Sequence, residues 1–96
     1  MIPENKKKLL EHLRNEVDAI DKKIVELLNK RSEKSVSIGN LKIELQMDLY
    51  SPERENFIFN NILTPHQQYI SGEALQKIYR VIIDESLAVQ KKGYKN

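Results

Sequence analysis

An arginine stands where a helix should present an apolar side chain. Leu10, Leu13, Val17, Ile20, Ile24 and Leu27 recur at steps of three and four, the spacing of one buried helix face. The next position on that stripe is Arg31, and the stripe resumes at Ile38, Leu41 and Leu45. Lys42 follows Arg31 by eleven positions. At about 100° per residue that returns it to within about 20° of the same face, three turns along. Ser86 and Gln90 are spaced i, i+4 on a second apolar stripe, and Arg54 and Glu55 close the run "YSPERE", in the first turn of a second helix. Cations, an amide, a hydroxyl and a carboxylate are thus aimed at an otherwise apolar interior.

Burying a cation without a partner is expensive. Two readings account for these residues. One is a structural ion pair, for instance Arg31 with a buried glutamate. The other is a site for an anionic ligand. Arginine offers a planar fork that matches a carboxylate bidentately, lysine a point charge, and both stay charged at neutral pH. Several cations with Glu55 as the only counter-charge suit a small dianion. Arg14 precedes Arg31 by 17 positions, about 25 Å along one helix, too far for both to grip one small molecule. It is either a surface arginine or, in a dimer of antiparallel long helices, a contribution from the partner chain.

The elements that must position these groups are helical. From about Pro3 to about Leu45 nothing strongly breaks helix, and Gly39 is the only interruption, at a cost of about 1 kcal/mol relative to alanine. The stripe passes over Lys34. "QMDLYSPEREN" then reads as a loop and a fresh start, with Ser51 as N-cap, Pro52 at the first helical position and Glu53 in the first turn. This second helix carries Phe57, Ile58 and Ile62 and is expected to end by Pro65. "TPHQQYISG" is a connector, and Ser71 caps a third helix running to about Lys92, with Leu75, Ile78, Tyr79, Ile82, Ser86, Val89 and Gln90 facing inward. The first helix, about 60 Å long at about 1.5 Å per residue, cannot be covered by second and third helices of about 18 and 30 Å. An exposed apolar face of that size marks an interaction surface, and a second copy of the chain is the simplest cover.

Composition bounds the function. The 96 residues make one domain, residues 1–96, and three glycines and three prolines among abundant Leu, Ile, Glu and Lys favour an all-α fold. A net charge of +2 from 16 basic and 14 acidic residues is mixed, which argues against a nucleic-acid partner. Cysteine is absent, and with it disulfides, thiolate chemistry and zinc–thiolate sites. The opening "MIPENKKKLLEHLRNE" holds no uninterrupted apolar segment, so neither a signal peptide nor a membrane span is expected, and a cytoplasmic protein is. Lysines 6 to 8 and 91, 92 and 95 read as solvated helix ends, the later set complementing the helix dipole.

"LRNEVDAIDKKIVELLNKR" (Leu13 to Arg31), then Lys42, then "YSPERE" (Tyr50 to Glu55), then "IIDESLAVQ" (Ile82 to Gln90) strongly resemble the all-helical chorismate mutases of the AroQ class, over about residues 6–92. The resemblance implies an intertwined homodimer of three-helix chains, each with one very long helix, and two equivalent sites. It implies the Claisen rearrangement of chorismate to prephenate, the branch step toward phenylalanine and tyrosine. Arg14 then matches the arginine donated by the partner chain and Arg31 that of the same chain, holding the two carboxylates. Lys42 and Gln90 match the pair that reaches the ether oxygen, Glu55 the residue at the ring hydroxyl, Arg54 the arginine beside it, and Ser86 a polar contact to a carboxylate. Ser51 departs from the family pattern, which often has aspartate there. A serine caps the helix equally well but offers no carboxylate.

A pericyclic rearrangement needs no nucleophile, general acid, metal or cofactor, which suits a chain whose two histidines, His12 and His66, sit far apart among polar neighbours. The protein has to hold the enolpyruvyl arm over the ring and to stabilise negative charge growing on the ether oxygen. Three alternatives stand beside this reading. One is an isochorismate–pyruvate lyase of the same fold. Another is a regulatory module that binds chorismate or prephenate and associates with another shikimate-pathway enzyme. The third is a plain helical dimerisation protein. Both a free-standing enzyme and one domain of a bifunctional enzyme fit the sequence.

Overall fold

The computed structural model describes residues 3–93. Among them the chain is all-helical. The first helix, α1, runs Pro3–Glu44 without a break, as its periodicity predicts. The chain divides into two units at Lys30, each described by itself.

In the first unit α1 carries the apolar stripe wholly in the open. Every side chain from 4 to 30 is exposed, from 47% at Ile24 to 62% at Leu27 on the stripe itself. Lysines 6 to 8 are exposed as expected, and His12 pairs with Glu16 one turn on, at 2.9 Å.

The second unit begins at Arg31. Its part of α1 ends in a turn that reverses the chain. The Met47 N–H bonds the Lys42 carbonyl at 2.8 Å and the Gln46 N–H bonds the Ile43 carbonyl at 3.1 Å. Gln46 lies in the left-handed region at φ 56°, the place a glycine usually takes in this helix ending. After an extended stretch, α2 occupies Pro52–Phe57, and the Ser51 hydroxyl accepts the Arg54 N–H at 3.2 Å as its cap.

The second helix departs from expectation beyond Phe57. The sequence predicts one regular helix ending by Pro65. Instead the chain winds more widely, as a π-helix over Ile58–Leu63, and closes with a tight 3₁₀ turn at Thr64–His66. The Thr64 N–H bonds the Phe59 carbonyl five residues back, and the Thr64 hydroxyl donates to the same oxygen at 2.7 Å. Pro65 has no N–H to give and fits the first turn of the closing 3₁₀ segment. The helical path therefore passes Pro65 by one residue instead of stopping before it.

The third helix, α3, spans Gly72–Gly93. The Ser71 hydroxyl accepts the Ala74 N–H at 3.1 Å, Glu73 sits in the first turn, and Lys91 and Lys92 sit in the last. Lys95 lies outside the described residues.

A small core joins α3 to the wide turn: Ile58, Leu63 and Ile83 are buried, with Phe59, Leu75 and Tyr79 packed around them. The inward line of α3 differs in one place from the predicted stripe. Ile78 is exposed and Ile83 buried. The face of α3 that meets α2 and the wide turn runs through Leu75, Tyr79, Ile83, Ser86 and Gln90, leaving Ile78 beside it. The C-terminal part of α1 meets α3 at Gly39, where a Cβ would lie 2.8 Å from the Gln90 Cβ. The glycine that weakens the helix is what lets the two helices touch.

Candidate active site

A cleft of about 290 Å³ lies within the second unit, lined from three sides. The C-terminal part of α1 supplies Arg31 and Lys42, the connector and α2 supply Ser51, Arg54 and Glu55, and α3 supplies Ser86 and Gln90. All seven were singled out from sequence. Leu49, Ile58, Ile83 and Leu87 provide apolar wall. Arg14 is exposed on the first unit and is not among the lining residues.

The two residues that break the α1 stripe are held in different ways. Arg31, half-buried, donates to the Ser86 hydroxyl, and its guanidinium stands 5.9 Å from the centre of the Tyr79 ring. The Ser86 hydroxyl in turn donates a hydrogen bond to the Ile82 carbonyl at 3.0 Å. Among the described residues Arg31 forms no ion pair, so the structural-pair reading with a buried glutamate does not hold. Most of its five N–H donors stay available. Lys42 donates to the Leu49 carbonyl at 2.7 Å. One of its three donors is used to tie the reversing turn, and two are left for a ligand.

Ser51 spends its hydroxyl oxygen capping α2. The adjacent Arg54 stands with its guanidinium 5.0 Å from the Phe57 ring centre, exposed and without a carboxylate partner among the described residues. Gln90 is 6% exposed, and its Oε1 is buried with no hydrogen-bond partner among the described residues. An orphaned buried amide oxygen costs about 1–3 kcal/mol, and such groups are rare in folded proteins unless a partner arrives.

Glu55 is not the free counter-charge that sequence reasoning made it. Its carboxylate is gripped by the fork of Arg80, Nη1 to Oε1 at 2.9 Å and Nη2 to Oε2 at 3.2 Å. Arg80 in turn donates to Asp84 Oδ1 from Nε at 3.2 Å and from Nη2 at 2.9 Å. Hydrogen bonds to Glu55 first, and to Asp84 second, raise the Arg80 pKa above the ordinary arginine value. With Glu55 matched by Arg80, the positive charge of Arg31, Lys42 and Arg54 is left uncompensated inside the cleft.

Sequence reasoning missed Arg80, Lys34 and Ser35. Lys34 and Ser35 line the cleft, Ser35 buried. Lys34 occupies the skipped position of the α1 stripe, and that was the signal available. Arg80 and Asp84 read as an ordinary i, i+4 surface pair, and nothing local links them to Glu55. Among the described residues there is no cluster that could hold a metal ion and no helix long and apolar enough to cross a membrane.

Comparison with known proteins gives this geometry a context. The sequence profile of the family described as "Chorismate mutase type II" matches residues 13–91. The bifunctional chorismate mutase/prephenate dehydratase of Aquifex aeolicus is 40% identical over 87 residues, which is 86% of this chain and 24% of that protein. The chain likewise spans 21% of the Buchnera aphidicola bifunctional protein, at 35% identity. The chorismate mutase of Methanocaldococcus jannaschii is 29% identical, with 85% of this chain aligned to 84% of it. The crystal structure of the Helicobacter pylori chorismate mutase in complex with prephenate superposes with a TM-score of 0.83 at 32% identity, covering 93% of this chain and 97% of that one.

Proposed function

The chain belongs to the chorismate mutase type II family, and from that premise we propose that it catalyses the Claisen rearrangement of chorismate to prephenate, in the cytoplasm. One observation supports this most strongly. Arg31, Lys42 and Arg54 face one small cleft with no carboxylate partner among the described residues, and the cleft's single carboxylate is already matched by Arg80. Such a surplus suits a small dianion. The prephenate bound to the Helicobacter relative is a molecule of that class.

The roles follow from chemistry. Arg31, oriented by Ser86, takes one carboxylate through its free fork, and Ser86 adds a polar contact by turning its hydroxyl proton from the Ile82 carbonyl to the ligand. Lys42 and the Gln90 Nε2 donate to the ether oxygen as the C–O bond breaks and negative charge grows there. Donors already fixed in place act without reorganisation, so they favour the transition state over the ground state. Glu55 accepts the ring hydroxyl, Arg54 lies beside it, and Ser51 holds the start of α2 at the cleft rim. Anchoring both ends of the substrate confines it to the reactive conformer, and this acts together with charge stabilisation at the ether oxygen.

The functional unit in this reading is an intertwined homodimer. The open apolar stripe of α1 needs a cover, and a second copy supplies a matching one. Arg14 then reaches the partner's site and takes the second carboxylate. The bifunctional relatives support a second setting, in which the same fold is joined to, or associates with, an enzyme that consumes prephenate.

The test is to mix the purified chain with chorismate and follow products by NMR. Catalytic appearance of prephenate is expected. Binding of chorismate without turnover would replace the mutase reading with the regulatory one, or with the lyase one if isochorismate, supplied next, releases pyruvate.

A further inference from the structure

Arg80 lies outside the cleft, yet it holds the only carboxylate that lines the cleft among the described residues. Among the described residues its bond to Glu55 is the only ion pair between two different helices; the other ion pairs, Lys77–Glu73 and Arg80–Asp84, are i, i+4 contacts within one helix. The pairing is bidentate, both guanidinium nitrogens to both carboxylate oxygens, and the Glu55 side chain is only 12% exposed. Asp84, one turn along α3, takes the Nε edge and the remaining Nη2 proton of the same guanidinium. The fork is therefore fixed on one side by its own helix and presented to α2 on the other.

The geometry has a specific consequence for Glu55. It sits in the first turn of a six-residue helix, a short element whose side chains are poorly anchored by the helix alone. A single-point contact would let the carboxylate rotate. Two parallel N–H···O bonds fix both its position and its plane. Each oxygen keeps an unused acceptor site directed away from Arg80.

We propose that Arg80 is a positioning residue that clamps Glu55 as an oriented acceptor for the ligand's hydroxyl. This rests on the mutase reading, in which Glu55 meets the ring hydroxyl. Arg80 itself touches no substrate. Its effect is carried entirely by Glu55.

The experiment measures kcat/KM for chorismate, with thermal melts, for the wild-type chain, Arg80→Ala, Arg80→Lys, Glu55→Ala and the double variants on Glu55→Ala. Arg80→Ala is expected to lower kcat/KM about tenfold when Glu55 is present and to change it less than about twofold when Glu55 is alanine, as for residues that act through one network. Arg80→Lys keeps the charge but not the fork, so it is expected to recover only part of the loss. It also carries the same comparison if the alanine variant does not fold. A purely structural pair would shift the melting temperature and leave kcat/KM of the folded protein unchanged. That result, or losses that simply add in the double variants, would overturn the inference while leaving the mutase reading intact. Absence of turnover by the wild-type chain would remove both.

Discussion

Gly39 on α1 and Gln90 on α3 are so close that a Cβ on the glycine would lie 2.8 Å from the Gln90 Cβ, 2.9 Å from its Cγ and 3.1 Å from its Cα. The contact sets where the Gln90 amide begins, and with it the placement of a proposed transition-state donor. Gly39→Ala exchanges a poor helix former for the best one, a local gain of about 1 kcal/mol. The clash includes backbone, so it cannot be relieved by rotating a side chain. Overpacking of this kind costs about 1–3 kcal/mol. The variant is expected to melt lower than wild type and to lose kcat/KM; a melt at or above wild type would show that the helices can separate without penalty.

Lys42→Ala removes a donor proposed for the ether oxygen. A drop in kcat/KM of at least about 10²-fold is expected, on the scale of one lost transition-state hydrogen bond. Steady-state kinetics on chorismate decide it, and activity within a few-fold of wild type would remove Lys42 from that role.

Gln90 is an amide, so its donor does not titrate, and the wild-type rate is expected to persist through neutral pH. The carboxyl introduced by Gln90→Glu would donate only as the protonated acid. Burial of this position pushes such a carboxyl above the ordinary glutamate value of about 4.3. The variant's kcat/KM should therefore be highest at acid pH and fall as pH rises through that raised value, where the carboxylate repels the developing negative charge. Parallel pH–rate profiles of the two proteins check this, and a flat profile for the variant would contradict it.

Gln46 holds a left-handed conformation at φ 56°, which costs a residue with a Cβ about 1–2 kcal/mol. Gln46→Gly removes that strain and adds some unfolded-state entropy, for a net gain of about 0.5–1 kcal/mol. Denaturant unfolding at fixed protein concentration measures it. The reversing turn also carries the Lys42–Leu49 bond, so kcat/KM in the variant reports whether that turn must be stiff.

The helices were legible in the sequence because their signals are local. The α1 periodicity, the Ser51 and Ser71 caps and the end of α1 near Leu45 all agree with the structure. Four of the seven candidate residues in the cleft were legible for a similar reason: Arg31 and Lys42 interrupt an apolar face, and Ser86 and Gln90 share one; Arg54 and Glu55 followed from the first turn of α2, and Ser51 from the resemblance alone. The misses required tertiary information. The wide winding over Ile58–Leu63 depends on how Thr64 and Pro65 close the segment, which periodicity does not report. Arg80 has Asp84 as its neighbour one turn along the same helix, and the packing of α3 against α2, which no local signal reports, brings it to Glu55.

In the proposed site, one chain's Arg31 and its partner's Arg14 hold the same chorismate, and subunit mixing tests this pairing. Arg14→Ala and Arg31→Ala chains, each alone, are expected to be nearly inactive. In a mixed two-fold dimer one site regains both arginines and the other loses both, so equal mixing after unfolding and refolding should restore about a quarter of wild-type turnover. Prephenate formation at that level is the predicted result. A mixture no more active than its two components would contradict the shared site.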